Sequence, residues 1–372
     1  MFSPARVQCG ISDYTKLLVE GLREQAEISE VRIVDCYSDR DVNAAGYIAK
    51  IRRYQQMARD MNWPEVPEQE AVAHIQHQYF HFGGVAPYKT HIRIFLASLK
   101  MPCVMTVHEI VDEPIGASLR VRMGIRMANR MNFLHPAVSQ FIVHTRADRD
   151  RLAKIGVSVS RISVIVHGIP PAQELPDATE SKQKLQVEGR RVVTLFGFLS
   201  RKKGHHLAIE AISQVPNDVV LLLAGGQHPD DHSSYTAELQ RDIETRGLTD
   251  RVRITGYLPG HDLPVVMAAT DVAIAPYQQT SGSGSIANLL AYGRPVIASD
   301  IDPHREICED LPASLILFET GSSQMLAQKI EMLLGDNTYR EQLSQAALSY
   351  AKRHSYWSMA RDFVPIYRKA LL

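Results

Sequence analysis

DVAIAPYQQTSGSGSIANLLAYGRPVIASD, residues 271–300, decides the fold. An apolar, β-prone run is followed by a loop of small hydroxyl residues, an apolar helical stretch, a Gly293–Pro295 stop and a second β-prone run. That order is one βαβ unit, with a parallel crossover. Working upstream, RRVVTLFGF, DVVLLLAGG and RVRITGY repeat the theme, each followed by a helical or loop segment. The runs are nearly unbroken in apolar residues, as sheets covered on both faces require. Further upstream VRIVDC, AVAHIQH, PCVMTVHEI, QFIVHT and ISVIVHGI form an earlier series, separated by the Pro-rich, polar stretch within 168–188. The expectation is an α/β protein of two successive units with parallel sheets, residues 1–168 and 169–354.

Composition narrows the function classes. At 372 residues the chain exceeds one ordinary core and suits two. Lys plus Arg equals Asp plus Glu at 41 each, so no net field draws the whole molecule to nucleic acid or an anionic membrane. Cys9, Cys36, Cys103 and Cys308 lie far apart without a C-x-x-C pair, which points to reduced thiols rather than a zinc or dithiol site. Apolar runs such as VVLLLA are far too short to span a bilayer. The expected setting is cytoplasmic.

Open α/β sheets bind ligands beyond the carboxyl ends of their strands. Ser281, Gly282, Ser283, Gly284 and Ser285 open the helix SIANLLAYG after one such strand. Free amides, the positive end of a helix dipole and several hydroxyls then point at one place, suiting a phosphate or diphosphate. A flexible loop with a serine N-cap is the plainer reading. FGFLSRKKG places Arg201, Lys202 and Lys203 at a second strand end, where a polyanion can be neutralised, although such cations are more often solvated. Gly256, Tyr257, Pro259 and Gly260 stand at a third strand end and would flank a nucleobase.

In the first half, His74, His77 and His81 fall in HIQHQYFHFGG. The flanking residues read as a strand, which puts neighbours on opposite faces and argues against a metal site. His77 is expected to line the site and His74 to be structural. His108 follows strand VMTV and Glu109 is read as solvated. Residues 115–147 hold no acid, while Arg122, Arg126 and Arg130 share one helical face with Arg120 close by. That stretch, 118–134, reads as a peripheral membrane contact or a site for a polyanionic acceptor. The alternative is a solvated helix whose Met and Leu side packs in the core. Aromatic platforms are sparse among these cations, so nucleic acid is not an expected partner.

Gly197 with Lys203–Gly204, GYLP, TDVAIAPY and AYGRPVIASD occur in the order and spacing of retaining glycosyltransferases of family 4, and the chain resembles them nearly throughout. The first half agrees: Cys9–Tyr14 resembles the family's Gly-rich turn, HIQHQYFHFGG its post-strand loop and TVHEI its Thr-x-His motif. The resemblance implies the GT-B architecture, two Rossmann-like domains facing across a cleft, with acceptor binding in the first, donor binding in the second, and the C-terminal helix, residues 355–372, packing back on the first. It implies that Lys203 and Arg201 contact the donor diphosphate and that the Ser283–Ser285 loop supplies backbone donors. Gly197 belongs to the same donor site, and Gly10 would let backbone approach the donor phosphates. Tyr257 and Gly256 would border the base. His108 would face the transferred sugar and the acceptor, with Asp13, Tyr14 and His77 on the acceptor side.

Three departures stand out. The family's paired carboxylates fall on Thr280 and Asn288, neither of which is acidic. Asn288 retains hydrogen-bonding capacity for a ribose hydroxyl, and the donor-sugar contact would pass to Ser281 or to backbone groups. The Arg commonly found after Gly197 is Phe198. Only MFSPA precedes the Gly10 turn, so either the first strand is a stub or the start lies upstream.

The expected function is retaining, metal-independent hexosyl transfer from a nucleotide diphosphate sugar, a co-substrate rather than a cofactor, to a hydroxyl acceptor such as a glycan, glycolipid or small-molecule glycoside. A nucleotide-sugar binding protein without transferase activity is the rival, motivated by the missing carboxylates. An epimerase ranks lower for want of acid/base carboxylates.

Overall fold

The computed structural model describes the chain except residues 6–8, 37–46, 87–89, 115 and 228–232; no candidate site residue falls among these. The chain divides into two compact units, Met1–Gly168 with Tyr356–Leu372, and Ile169–Ser355.

The first unit carries β1 (Phe2–Ser3), β2 (Val34–Asp35), β3 (Ala73–His77), β4 (Cys103–Val107), β5 (Val138–Val143) and β6 (Ile162–Val164) in the order β2-β1-β3-β4-β5-β6. Every pairing is parallel. β3 and β4 are buried along their whole length, as both faces of a parallel sheet covered by helices must be. One face, which includes Phe141 of β5, packs on Phe82, Phe95 and Phe133, the other on Tyr14, Leu18 and Leu22 of helix Gly10–Arg23 and on Met359 and Phe363 of helix Tyr356–Ala370. β1 is short, with Phe2 paired to Val34 and Ile75.

The second unit carries β7 (Arg191–Phe196), β8 (Val219–Ala224), β9 (Val252–Ile254), β10 (Val272–Ala275), β11 (Val296–Ser299) and β12 (Ile316–Phe318), in the order β12-β11-β10-β7-β8-β9, again all parallel. The chain lays β8 and β9 to one side of β7, then β10, β11 and β12 to the other. The order therefore reverses between β7 and β10, and that switch point is where loops from adjacent strands part and leave a crevice. In the first unit the corresponding reversal lies between β1 and β3.

Helix Leu119–Phe133 of the first unit departs from the packing read as its plainer alternative. It buries Ile125, Ala128, Asn129, Asn132 and Phe133, whereas Leu119 is 69% exposed, Met123 59% and Met127 58%. Arg122 and Arg126 both reach Glu113, at 2.7 and 2.5 Å. Among the described residues no helix is long and apolar enough to cross a membrane.

Candidate functional site

The switch point of the second unit gathers the two segments singled out from sequence. After β7 the chain turns at Gly197, whose φ of 114° favours glycine. A Cβ there would run into Lys203 Nζ and Ser285 Oγ, so the missing side chain makes the space these two groups share. Arg201–Lys203 forms a single 3₁₀ turn closed by Gly204 at φ 70°, and a Cβ on Gly204 would strike the Pro276 carbonyl. The turn is tied to the loop after β10 by a backbone bond from Gln278 N to Lys202 O, 2.8 Å. Lys203 Nζ donates to Ser285 Oγ at 2.7 Å.

Helix Gly284–Ala291 starts beside this pair. Its N-cap is Ser283, whose Oγ accepts from Ile286 N at 3.3 Å. The first-turn amides lack intrahelical partners, as at every helix start, and leave a positive dipole end at the mouth of the loop. Gly284 has open space around its Cβ position, while Thr280, Ser281 and Gly282 lead in as a half-buried bend. Asn288 is half-buried, and its amide turns back to donate to Gly284 O at 2.8 Å.

Electrostatics distinguish Lys203 from its neighbours. Lys203 is half-buried, and among the described residues its ammonium forms no ion pair; it donates to Ser285 Oγ and lies 5.6 Å from the ring of Tyr277. Burial pushes its pKa down to about 8. A cation partly withdrawn from water without a carboxylate beside it is costly, and an arriving anion offsets that cost. Tyr277 is itself 2% exposed, and its hydroxyl lies near those of Ser283 and Ser285 without good hydrogen-bond geometry. Burial pushes that hydroxyl up to about 12, against the pull of the two serines. Arg201 behaves differently: it is exposed, pairs with Glu238 and lies 4.8 Å over the Tyr235 ring. The structure therefore brings Lys203, Gly197 and Ser285 together and turns Arg201 toward the helix carrying Glu238.

A second cluster of backbone approaches lies along the strand ends β7, β8 and β9. A Cβ on Gly225 would meet the Gly197 carbonyl, and one on Gly226 would come within 2.7 Å of Tyr257 N. Gly256 has φ 75°, and Tyr257, half exposed, stacks on Phe198 with ring centroids 6.3 Å apart. Phe198, the departure from the expected Arg, is thus part of an aromatic pair. Gly225 and Gly226 were missed from sequence, although the pair AGG at a strand end was the available signal; Tyr277, hidden in an apolar run, gave none.

In the first unit Gly10 opens helix Gly10–Arg23 with nothing near its Cβ position, and Asp13 in its first turn is exposed, 3.9 Å from Lys16. Tyr14 is buried; its hydroxyl donates to Met359 Sδ at 3.8 Å. His108 is half-buried at the end of β4, its Nε2 2.8 Å from Gln76 Oε1 and its ring 4.8 Å from that of Tyr14. Burial and the neighbouring imidazoles hold its pKa well below the usual histidine range. His77 does not line an open site. It is fully buried between Tyr79, Phe82 and Phe133, with Nε2 2.8 Å from Asn132 Oδ1, because β3 is covered on both faces. His74 bonds Tyr367 and Thr106, both at 2.8 Å, and so ties β3 to β4 and to the C-terminal helix. Among the described residues no group of three His, Cys, Asp or Glu is placed to hold a metal ion.

Comparison with known proteins bears on this geometry. Residues 177–350, nearly all of the second unit, match the family model of glycosyl transferases group 1. The chain is 26% identical over 247 residues to the 2-deoxystreptamine glucosyltransferase of Streptomyces kanamyceticus, a match covering 63% of this chain and 62% of the relative's length. It is 25% identical over 284 residues to the alpha-D-kanosaminyltransferase of the same organism, covering 73% of this chain and 71% of the relative. Among solved structures, Alr3699/HepE of Anabaena in complex with UDP and glucose superposes with a TM-score of 0.68 at 21% identity, covering 90% of this chain and 85% of that one. The fold is that of the GT-B glycosyltransferases, built from two Rossmann-like units, and the matches support the glycosyltransferase superfamily.

Proposed function

We propose that the chain is a glycosyltransferase that binds the diphosphate of a nucleotide sugar at the β7–β10 switch point and transfers a hexosyl unit, with retention, to a hydroxyl acceptor. The observation that carries this reading is the half-buried Lys203 ammonium, without an ion-pair partner among the described residues, beside Ser285 and the N-terminus of helix Gly284–Ala291. The family model covering the same residues supports it, as do the names of the relatives, one a glucosyltransferase and one a kanosaminyltransferase.

In this reading the bond from the anomeric carbon to the leaving phosphate oxygen breaks as the acceptor oxygen bonds to the same face. The acceptor's proton passes to the departing phosphate. Negative charge grows on the diphosphate, and Lys203 with the helix amides is aimed at it, which is the transition-state stabilisation that matters most. These groups supply the positive charge, so the reaction is proposed to run without a metal. His108, neutral in its buried setting, would orient sugar and acceptor hydroxyls rather than carry charge. Tyr257 and Phe198 would border the base. Arg201 would join the diphosphate only by leaving Glu238. The first unit is assigned the acceptor, and the exposed arginines and methionines of helix Leu119–Phe133 a peripheral contact with an anionic membrane surface.

The test is a thermal-shift series with UDP, GDP and ADP, because a ligand of the folded state raises apparent stability with its concentration. One of the three raises the melting temperature of the native chain, and Lys203→Ala abolishes that response; an unchanged response in the variant removes the phosphate role. Asn288, which bonds its own helix rather than presenting a carboxylate, favours the rival of nucleotide-sugar binding without transfer. That rival wins if the nucleotide binds but no new glycosidic bond forms with any hydroxyl acceptor tried.

A further inference from the structure

The carboxyl ends of β4, β5 and β6 each deliver a histidine to one place in the first unit: His108 and His144 directly after β4 and β5, and His167 beyond β6. Their rings surround Tyr14, at 4.8, 5.3 and 5.3 Å respectively, and stand 5.7 Å (His108 to His144) and 5.1 Å (His144 to His167) from one another. The hydrogen bonds fix where each proton sits. His144 Nδ1 is 2.8 Å from the Ile165 carbonyl and His167 Nδ1 2.8 Å from the Gly168 carbonyl. A carbonyl oxygen only accepts, so Nδ1 carries the hydrogen in both rings and Nε2 is left a bare lone pair. His108 has the opposite arrangement, with Nε2 donating to Gln76 Oε1 and Nδ1 bare.

None of these lone pairs is satisfied by the described residues. His144 is 5% exposed and its Nε2 is buried without a partner. The hydroxyl of Tyr14, whose ring the three histidines surround, donates to Met359 Sδ instead. Protonation does not resolve the deficit, since burial pushes His144 down to about 3 and His167 down to about 4. A metal ion does not resolve it either, because the three nitrogens are not placed to share one. One buried acceptor with no donor, His144 Nε2, flanked by bare nitrogens on the half-buried His108 and His167 at adjacent strand ends of an open α/β sheet, describes a site that lacks its ligand's hydrogen atoms.

We propose that His144 and His167, together with His108, form a hydrogen-bond-accepting site for the hydroxyl groups of a polyhydroxylated substrate, a sugar or cyclitol, bound by the first unit. An anionic group is excluded from this position, since lone pairs would face its oxygens. The choice of substrate class rests on the reading of the chain as a transferase to a hydroxyl acceptor; the vacant lone pairs do not.

The experiment uses the full ¹⁵N-labelled chain at neutral pH, with long-range ¹H–¹⁵N correlation of the imidazoles. The expected spectra show Nδ1–H tautomers for His144 and His167 and the Nε2–H tautomer for His108. Titration with myo-inositol or methyl α-D-glucoside shifts the bare nitrogens as they accept hydrogen bonds. His167→Asn keeps an amide donor for the Gly168 carbonyl but, being shorter than imidazole, places no acceptor at the Nε2 position, so it binds the same probe about tenfold more weakly, the scale of one lost hydrogen bond. His144→Asn does the same at the buried position. The melting temperature of His167→Asn and its response to nucleoside diphosphates stay as in the native chain. Protonated rings, the opposite tautomers, native spectra unmoved by both probes, or probe binding undiminished in His167→Asn each overturn the proposal. Loss of the nucleotide response in the native chain would overturn the donor reading and leave this site standing.

Discussion

At the scale of single residues Lys203 makes the sharpest statement about pH. Its folded-state pKa of about 8 lies below the ordinary 10.5, because burial penalises the charged form. Between those values the unfolded chain holds a proton that the folded chain has released, so this group favours folding more as pH rises through the window. Anion binding has the opposite dependence. The diphosphate is fully charged by about neutral pH, and it requires the protonated lysine. Affinity for the preferred nucleoside diphosphate is therefore expected to be level up to about pH 8 and to fall by up to tenfold per unit above it. Calorimetric titration of the native chain across that range checks it, and Lys203→Ala should bind weakly without the inflection; constant native affinity through the window would refute the role. The pairing of Lys203 with Ser285 was legible from sequence because both follow strand ends of one βαβ series. Tyr277 was not, since its position in DVAIAPY reads as core. His144 and His167 escaped notice for a related reason: each sits singly after an apolar strand, and only the sheet order makes them neighbours.

At the scale of elements, the long apolar strands were readable throughout, and the two-residue β1 and β2 were the hard cases because so short a pairing carries no periodicity. The basic helix shows both sides of this. The spacing of Arg122, Arg126 and Arg130 placed them on one face, but Glu113, just outside the acid-free stretch, neutralises two of them. What sequence left open was the fate of the methionines. Leu119, Met123 and Met127 recur every fourth residue on the exposed side, beside Arg120 and Arg130, which form no ion pair among the described residues. An apolar strip with flanking cations suits the headgroup boundary of an anionic bilayer. The chain is expected to co-sediment with vesicles containing phosphatidylglycerol and not with purely zwitterionic ones. The exposed double variant Met123→Gln, Met127→Gln should weaken that binding about tenfold without lowering the melting temperature, at ~0.8 kcal/mol per buried methylene. Equal binding to both vesicle types, or none to either, would assign the helix to solvent.

At the scale of the whole molecule the division into two α/β units follows from the restart of the strand pattern after the polar stretch near residue 170, which any reading of hydropathy detects. The allegiance of the last helix is different in kind. Nothing in SYWSMARDFVPIYRKALL says which sheet it covers, since an amphipathic face fits either. In the structure Met359, Phe363 and Ile366 pack with Tyr14, Leu18 and Leu22, and Gly21 admits Ala360 so closely that a Cβ there would lie 2.9 Å from it. Tyr367 bonds His74, and Arg368 reaches Glu27 at 2.9 Å. The first unit is thus completed by residues at the far end of the chain, with the whole second unit inserted between. Burying three large apolar side chains contributes about 5–9 kcal/mol, which is comparable to the total stability of a domain at about 5–15 kcal/mol. A chain ended after Ser355 should therefore lose the first unit cooperatively while the second, whose core is built from its own residues, keeps its fold and its nucleoside diphosphate response. Limited proteolysis followed by mass spectrometry reads this directly: cleavage spreads through residues 1–168 of the shortened chain, and a resistant fragment near 169–355 survives. Uniform resistance would mean that the sheet of the first unit stands without its last helix, and uniform digestion would mean that the second unit depends on the first.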